Sequence, residues 1–545
     1  MAYIAPGSII RLIQGCPLND TYENTILFES ASAQQSYFSG LQHIDFLNQS
    51  YQRWDKGTLR LEDAPDDLIG YNYMMFQNTP FSSRWYYAFV TDVEYVNNTT
   101  ATVSYAIDVM QTWHFDYTLH DCYIERQHAE HDAMYENLVP EDLDLGDSYT
   151  CVHTDAYDMN DQYICALATC DTAGGDGWEA KTRNGIFSGL NVISGLEVDD
   201  PTDVKTLISN LVGDGDEASI VNMFQYPKFI GGAASWYGAD TKMITRTLSI
   251  GDGEYYPSNN KLFSYPYSYL LVSNNSGQTA VFHWEDFAYR ALGNVDFEIR
   301  GCYVPTVSVL CFPMNHRGIV DDFDSGLTYS DFPQCAWAGD TYAAWYAQNA
   351  NQARVSIATT AINNMFTGEM IGSSAGQTRY MAQSAGVPAS QIAAGAAAGA
   401  LAGGAVGAVV GAIGGTALGV ASNLAKTSDL KNSPDQAYGQ TSVSALNTAM
   451  SRCAFNFYQM TIKRQFAEII DDYFTMYGYA QHKVATPNRN ARTRWTYVKT
   501  IGSDATGPIP KKHLDAINTI FDAGVRFWNN PGDIGNYSLG NPPRS

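Results

Sequence analysis

The sequence is poor in positive charge and has no C-x-x-C motif. It carries 32 Lys and Arg against 57 Asp and Glu, a net charge of −25. A chain this acidic is not built as a conventional nucleic-acid binder, because contacts to phosphates need clustered cations. Its nine cysteines are Cys16, Cys122, Cys151, Cys165, Cys170, Cys302, Cys311, Cys335 and Cys453. Their number is odd and they form no C-x-x-C, which fits assembly in a reducing cytosol with mostly buried thiols. There is no phosphate-binding G-x-x-x-x-G-K-[ST] loop and no Gly-rich dinucleotide fingerprint, so no cofactor is expected. The opening MAYIAPGSIIRLIQG lacks a basic segment followed by a long apolar core, so no secretory signal is expected.

Charge is also missing from one long internal stretch. No Asp, Glu, Lys or Arg falls between Tyr380 and Ala425. Inside it, Ile392 to Val420 reads IAAGAAAGALAGGAVGAVVGAIGGTALGV, with Thr416 as its only hydroxyl. Gly395, Gly399, Gly403, Gly407, Gly411, Gly415 and Gly419 recur every fourth residue, while Gly404 and Gly414 lie off that register. On a helix, residues four apart share a face, so the seven form one smooth stripe. That is the small-residue pattern of helices packing closely in a membrane. As one helix the segment would reach ~43 Å, against a ~30 Å hydrocarbon core. Its insertion is driven by Ile392, Leu401, Val406, Val409, Val410, Ile413, Leu418 and Val420. At roughly −0.3 to −0.6 kcal/mol each, these supply about −2 to −5 kcal/mol. In water the glycines disfavour helix by about 1 kcal/mol each. The segment is therefore a poor soluble helix and a marginal membrane helix. The competing reading is a Gly/Ala linker, or a small-residue helix buried between protein layers.

The acidity is uneven. After residue 350 stand 16 of the 32 cations but only 10 of the 57 acids, so that part carries +6 and the first 350 residues carry −31. Ordinary acidic solubility accounts for this; so does a surface that repels phosphate, such as a conduit through which DNA slides without sticking. The length of 545 residues calls for several domains, and 36 tyrosines favour strands and extended contact surfaces.

Residues 1–130 read as strands and turns. Arg84 to Val90, Val93 to Val96 and Thr102 to Val109 are aromatic and β-branched runs, with a hairpin tip at Asn97 to Thr100 and a further strand from Cys122 to Glu125. Residues 131–340 are acidic and mostly β. They carry strands at Thr241 to Ile250, Tyr269 to Ser273, Val295 to Arg300 and Val304 to Phe312, and a short helix at Thr202 to Leu211. From residue 341 to 450 the period becomes helical up to Phe366. A Gly/Ser break and the glycine-striped stretch follow, so the latter sits at the tip of an excursion of about a hundred residues. Residues 451–545 return to mixed structure, with a strand at Phe455 to Ile462 and helices at Gln465 to Tyr477 and Lys511 to Phe521. The expected fold class is mainly β, α+β in detail.

Two blocks carry a family resemblance. The first is MFQNTPFSSRWYYAFVTDVEYVNNTTATVSYAIDVMQTWHFDYTLHDCYIERQH from Met75, with its FQN, W-x-YAFVT, DV-x-QTW and I-x-R-x-H features. The second runs from FTMYGY through P-N-x-N-x-R-T-R-W-T-Y-V to IFDAG-V-x-FW and DIGNYS at Asp533 to Ser538. Together they resemble the tail knob proteins of small short-tailed Salasmaviridae-type bacteriophages; the middle residues do not visibly share the likeness. The resemblance implies a ring-forming protein, a homohexameric tube at the distal end of a tail. In it both chain ends build a β-rich tube domain, 131–340 a second β-rich domain, and 341–450 a helical and Gly/Ala insertion. It further implies a virion component, assembled in the bacterial cytoplasm beside other tail proteins. It implies, too, hydrophobic loops that plug the tube and then enter the host cell membrane as a channel, and a lumen that phage DNA passes without sequence-specific binding. A free-standing pore-forming or fusion protein is the alternative.

No catalytic residue is expected. Gly372-Ser373-Ser374-Ala375-Gly376 matches G-x-S-x-G, but the nucleophile elbow needs a preceding hydrophobic strand, and a flexible hinge fits better here. His128 and His131, in HAEHD, lack an evident third metal ligand, so a polar loop is favoured over a metal site. The basic run Arg489, Arg492, Arg494 and Lys499, with Trp495 and Tyr497, has the ingredients to touch nucleic acid. An intersubunit or structural role facing the acidic amino-terminal part is favoured.

Overall fold

The structure, a computed structural model, describes residues 7–49, 57–78, 84–169, 180–183, 186–197, 205–206, 209–210, 220–231, 237–287, 294–302, 307–330, 332–338, 436–440, 447 and 450–544. The chain forms two compact units. The first gathers Met1–Asp147, Tyr256–Ser264 and Lys463–Ser545; the second holds Ser148–Tyr255 and Tyr265–Ile462.

The first unit is organised on two large sheets and also holds a two-stranded one, Thr118–Leu119 with Ala505–Thr506. One large sheet is antiparallel and orders its strands His43–Gln49, Ser8–Gln14, Tyr71–Asn78, Trp85–Asn97, Thr100–Ile107 and Thr58–Leu61. Both of its faces are covered, and the alternation of side chains shows how. Along Tyr71–Asn78, Met74 joins a core with Ile10, Leu12, Leu61 and Val103. Its neighbours Tyr73 and Met75 join Ile13, Phe38, Tyr87 and Phe89 on the other side. The runs expected separately at 84–90 and 93–96 are one 13-residue strand, Trp85–Asn97. A register shift between Val90 and Asp92 breaks its alternation, which is why it reads as two pieces. Its hairpin partner begins at Thr100, and Asn97 Oδ1 accepts the Thr99 N–H at 2.9 Å across the tip.

The second large sheet of this unit orders Asn24–Ile26, Val525–Trp528, Trp495–Ile501, Cys122–Gln127 and Tyr479–Ala485. It thus interleaves strands from both ends of the chain. The helix Lys511–Ala523 buries His513, Ile517, Ile520 and Phe521 at helical spacing. Ile517, Ile520 and Phe521 pack with Val109, Met110, Trp113, Val498 and Phe527 into one core. Trp113 Nε1 donates to His513 Nδ1 at 2.6 Å, tying residues 400 apart in sequence. Each fully buried side chain of this size contributes about 1.5–3 kcal/mol.

The second unit holds three sheets. A four-stranded one orders Tyr149–Asp158, Ala454–Ile462, Ser268–Ser273 and Thr279–Phe282. The strand expected at Phe455 to Ile462 is therefore a central strand of this sheet, and the chain returns to the first unit at Lys463. A second sheet orders Tyr237–Thr245, Asn294–Cys302, Ser308–His316 and Ile319–Asp321, with Leu327–Tyr329 beside Ser308–His316. The strand expected to run to Ile250 ends at Thr245. A third orders Ala180–Arg183, Ile186–Glu197, Gln162–Thr169, Ile220–Pro227, Gln334–Ala338 and Gln436–Gln440. The helix expected at Thr202 to Leu211 lies largely outside the described residues. Free thiols are buried at Cys16, Cys122, Cys302, Cys311 and Cys453 and exposed at Cys151.

Candidate functional site

The stretch Ile392 to Val420, with all eight aliphatic insertion residues and all seven striped glycines, lies outside the described residues. So do the helical arm ending at Phe366 and the G-x-S-x-G at Gly372 to Gly376. The described residues fix where this excursion leaves and returns. Gln334–Ala338 and Gln436–Gln440 pair antiparallel, with Gln334 opposite Gln440 and Ala338 opposite Gln436. Residues 339–435 therefore depart from and re-enter adjacent positions on one sheet. Among the described residues no helix is long and apolar enough to cross a membrane.

The basic run is paired within the first unit. Arg489 donates to the Tyr117 hydroxyl at 2.9 Å and lies over that ring at 5.0 Å. Arg492 is buried and stands 3.9 Å from Asp132. Arg494 pairs with Asp533 at 2.8 Å, and Lys499 with Glu125 at 2.8 Å. Trp495 is fully buried against Trp528. These groups serve the framework that joins the two chain ends. In the expected polar loop His128 is likewise enclosed. Its Nδ1 accepts the Tyr497 N–H at 2.8 Å and its Nε2 donates to the Thr475 carbonyl at 3.1 Å. Both ring nitrogens are used, so neither offers a lone pair to a metal.

Sequence reasoning passed over a buried ionic cluster in the same unit. Glu141, 2% exposed, pairs with both Arg126 and Lys261, the latter 3% exposed. Lys261 Nζ also donates to the Val139 carbonyl at 2.8 Å. Burial pushes the Lys261 ammonium down from its ordinary value, against the pull of Glu141. Asp132 is pushed up by burial and accepts from the Tyr479 hydroxyl at 2.7 Å. A signal for a further buried acid of this unit was in the sequence. Asp471 falls on the same helix face as Ala467, Ile470 and Phe474, the face that Arg464–Tyr477 buries.

Further buried titratable groups set an acid response. Burial holds His128 down to about 3 and His114 down to about 4, from 6.5. Below pH 6.5 the unfolded chain therefore takes up protons that the folded chain refuses, and stability falls as pH falls through that window. Asp108 acts oppositely. Burial without a cation partner raises it from 3.8 to about 6, although it accepts from the Tyr73 hydroxyl at 2.8 Å. Its contribution is full below 3.8 and lost as pH rises through about 6. Among these three groups the two histidines outweigh the aspartate, so their joint contribution to stability falls as pH drops from 6.5 to 4.5. Urea midpoints across this range should fall with pH, less steeply for His128→Gln and more steeply for Asp108→Asn. A midpoint that rises on acidification contradicts the assignment.

Comparison with known proteins agrees with this architecture. Residues 233–542 match the model described as Bacillus phage phi29 tail knob protein gp9, C-terminal domain. Residues 6–118 match that of the caudoviral major tail protein N-terminus. The chain is 24% identical to the tail knob protein gp9 of Bacillus phage B103 and 23% identical to that of Bacillus phage phi29, each alignment covering 100% of both chains. It shares its fold with the tail knob protein gp12 of bacteriophage C1. There the TM-score is 0.62 at 14% identity, over 98% of this chain and 100% of that one. With more than half its length in that first match, this mainly β chain belongs to the phage tail knob protein family and is a structural component of a virion tail.

Proposed function

We propose that copies of this chain, six in number, form a ring that serves as the distal DNA-ejection conduit of a short phage tail. The first unit supplies the wall, and the neighbouring tail proteins are its partners. The excursion 339–435 first plugs the exit. It then inserts Ile392 to Val420 into the host cell membrane, where the glycine stripes of adjacent copies pack to line a channel for phage DNA. The observation that carries this reading is the seven-glycine stripe in an uncharged stretch, set in a tail knob chain whose excursion starts and ends on one strand pair. A ring supplies several marginal spans at once, and small residues let neighbouring helices approach closely. The acidity of the first 350 residues suits a wall that does not retain phosphates.

Electron microscopy of the purified protein tests the assembly. Closed sixfold rings with an axial opening of about 20 Å, the scale of duplex DNA, are expected. A monomer with no axial opening would overturn the conduit reading.

A further inference from the structure

Tyr256–Ser264 belongs to the first unit, yet the chain on both sides of it, Ser148–Tyr255 and Tyr265–Ile462, belongs to the second. These nine residues contribute no strand to any sheet; their regular structure is the single 3-10 turn Asn260–Phe263. Side chains fasten them instead. Asp471 Oδ2 accepts the Ser258 N–H at 2.8 Å, and its Oδ1 accepts the Asn259 N–H at 3.0 Å and the Asn259 side-chain amide at 2.8 Å. Lys261 pairs with Glu141, and Asn260 donates to the Asp132 carbonyl. Glu141 is held in place by Arg126 and by the Ala480 N–H at 3.2 Å. Leu262 and Phe263 are buried beside these contacts.

A segment held by a ladder can be released only by breaking a sheet. One held by side-chain hydrogen bonds and an ion pair, with Asp471 taking both of its external backbone N–H donors, can open while the sheets stay closed. We propose that Tyr256–Ser264 is a latched strap. Asp471 and the Glu141–Lys261 pair are its latch, and its undocking leaves the sheets of the first unit closed. Asp471 and Lys261 act here as positioning residues, and the device stands on the geometry of the first unit alone, independently of the membrane role.

Hydrogen exchange of the full-length protein, read by mass spectrometry, tests this. In Asp471→Ala the amides of 256–264 should exchange about tenfold faster or more, as expected when a charged acceptor is removed from buried donors. Trp495–Ile501 and Tyr71–Asn78 should keep wild-type rates. Lys261→Met, which preserves the length and apolar stem of the side chain, should also accelerate the strap alone. Asp471→Asn, which keeps an acceptor, should give an intermediate rate and serves if the alanine variant does not fold. Unchanged exchange in the strap overturns the proposal. Exchange that rises throughout the first unit overturns it as well, since the cluster would then be part of the global core and not a local latch.

Discussion

Protein lacking Ile392 to Val420 is expected to leave liposomes intact under conditions in which the full chain releases an entrapped dye, while it still assembles. The excision is tolerable because Gln334–Ala338 and Gln436–Gln440 pair with each other, so the excursion can be shortened beyond its base without opening the sheet. The loss of leakage follows from the energetics. Eight aliphatics supply about −2 to −5 kcal/mol for one copy, and nothing else in the stretch offers a comparable drive. A single substitution should nearly suffice. Val406→Asp removes about 0.5 kcal/mol of drive and adds about 3 kcal/mol of penalty at the middle of the span. Gly407→Leu separates two ideas. It adds aliphatic drive but fills the stripe, so leakage should fall if the glycines are a packing surface and rise if they are passive filler. Leakage that survives the full deletion rules out the membrane role.

Local structure was largely legible in the sequence. The helices Arg464–Tyr477 and Lys511–Ala523 lie within three residues of the ends their periodicity predicts, and glycine stops both, Gly478 and Gly524 having φ of 66° and 98°. Aromatic and β-branched runs marked the strands between residues 85 and 127. Pairing was less legible, because it depends on partners far along the chain. Ala454–Ile462 reads as a strand, but nothing in its residues says that Tyr149–Asp158 and Ser268–Ser273 flank it. QCAWA and QAYGQ, the two strands at the base of the excursion, show no alternation, and only their register reveals them. Glu141 and Asp471 hold Lys261 and Asn259 of one short segment from two other parts of the chain, a juxtaposition that spacing does not encode. The basic run shows the converse. Its composition admitted nucleic acid, whereas Asp533, Glu125 and Tyr117 take up its cations inside the unit.

Gly478→Ala is expected to destabilise the first unit by about 4 kcal/mol. Gly478 ends the helix Arg464–Tyr477 with φ 66° and ψ −155°, a region open essentially to glycine alone, and entering it costs another residue about 1–3 kcal/mol. An added Cβ would lie 2.4 Å from His128 N and 2.5 Å from both the carbonyl carbon and oxygen of Gln127. These are backbone atoms at the end of Cys122–Gln127, so no side-chain rotation relieves the contact. Overpacking of this kind adds about 1–3 kcal/mol. The strand cannot retreat cheaply either. The His128 N–H donates to the Tyr497 carbonyl at 3.1 Å, and Arg126 donates to the Gly478 carbonyl at 2.6 Å. Gly502→Ala is the control, since Gly502 has φ 67° but no atom within 4 Å of an added Cβ. It should lose only about 1–2 kcal/mol, the cost of a left-handed conformation. Denaturant midpoints of the two variants give the comparison, and a difference below about 1 kcal/mol would show that the strand yields. Such yielding would also weaken the structural case for the unit as a conduit wall. Cys122–Gln127 is the amino-terminal strand that Trp495–Ile501 and Tyr479–Ala485 flank, so it is one of the junctions at which the two chain ends are joined.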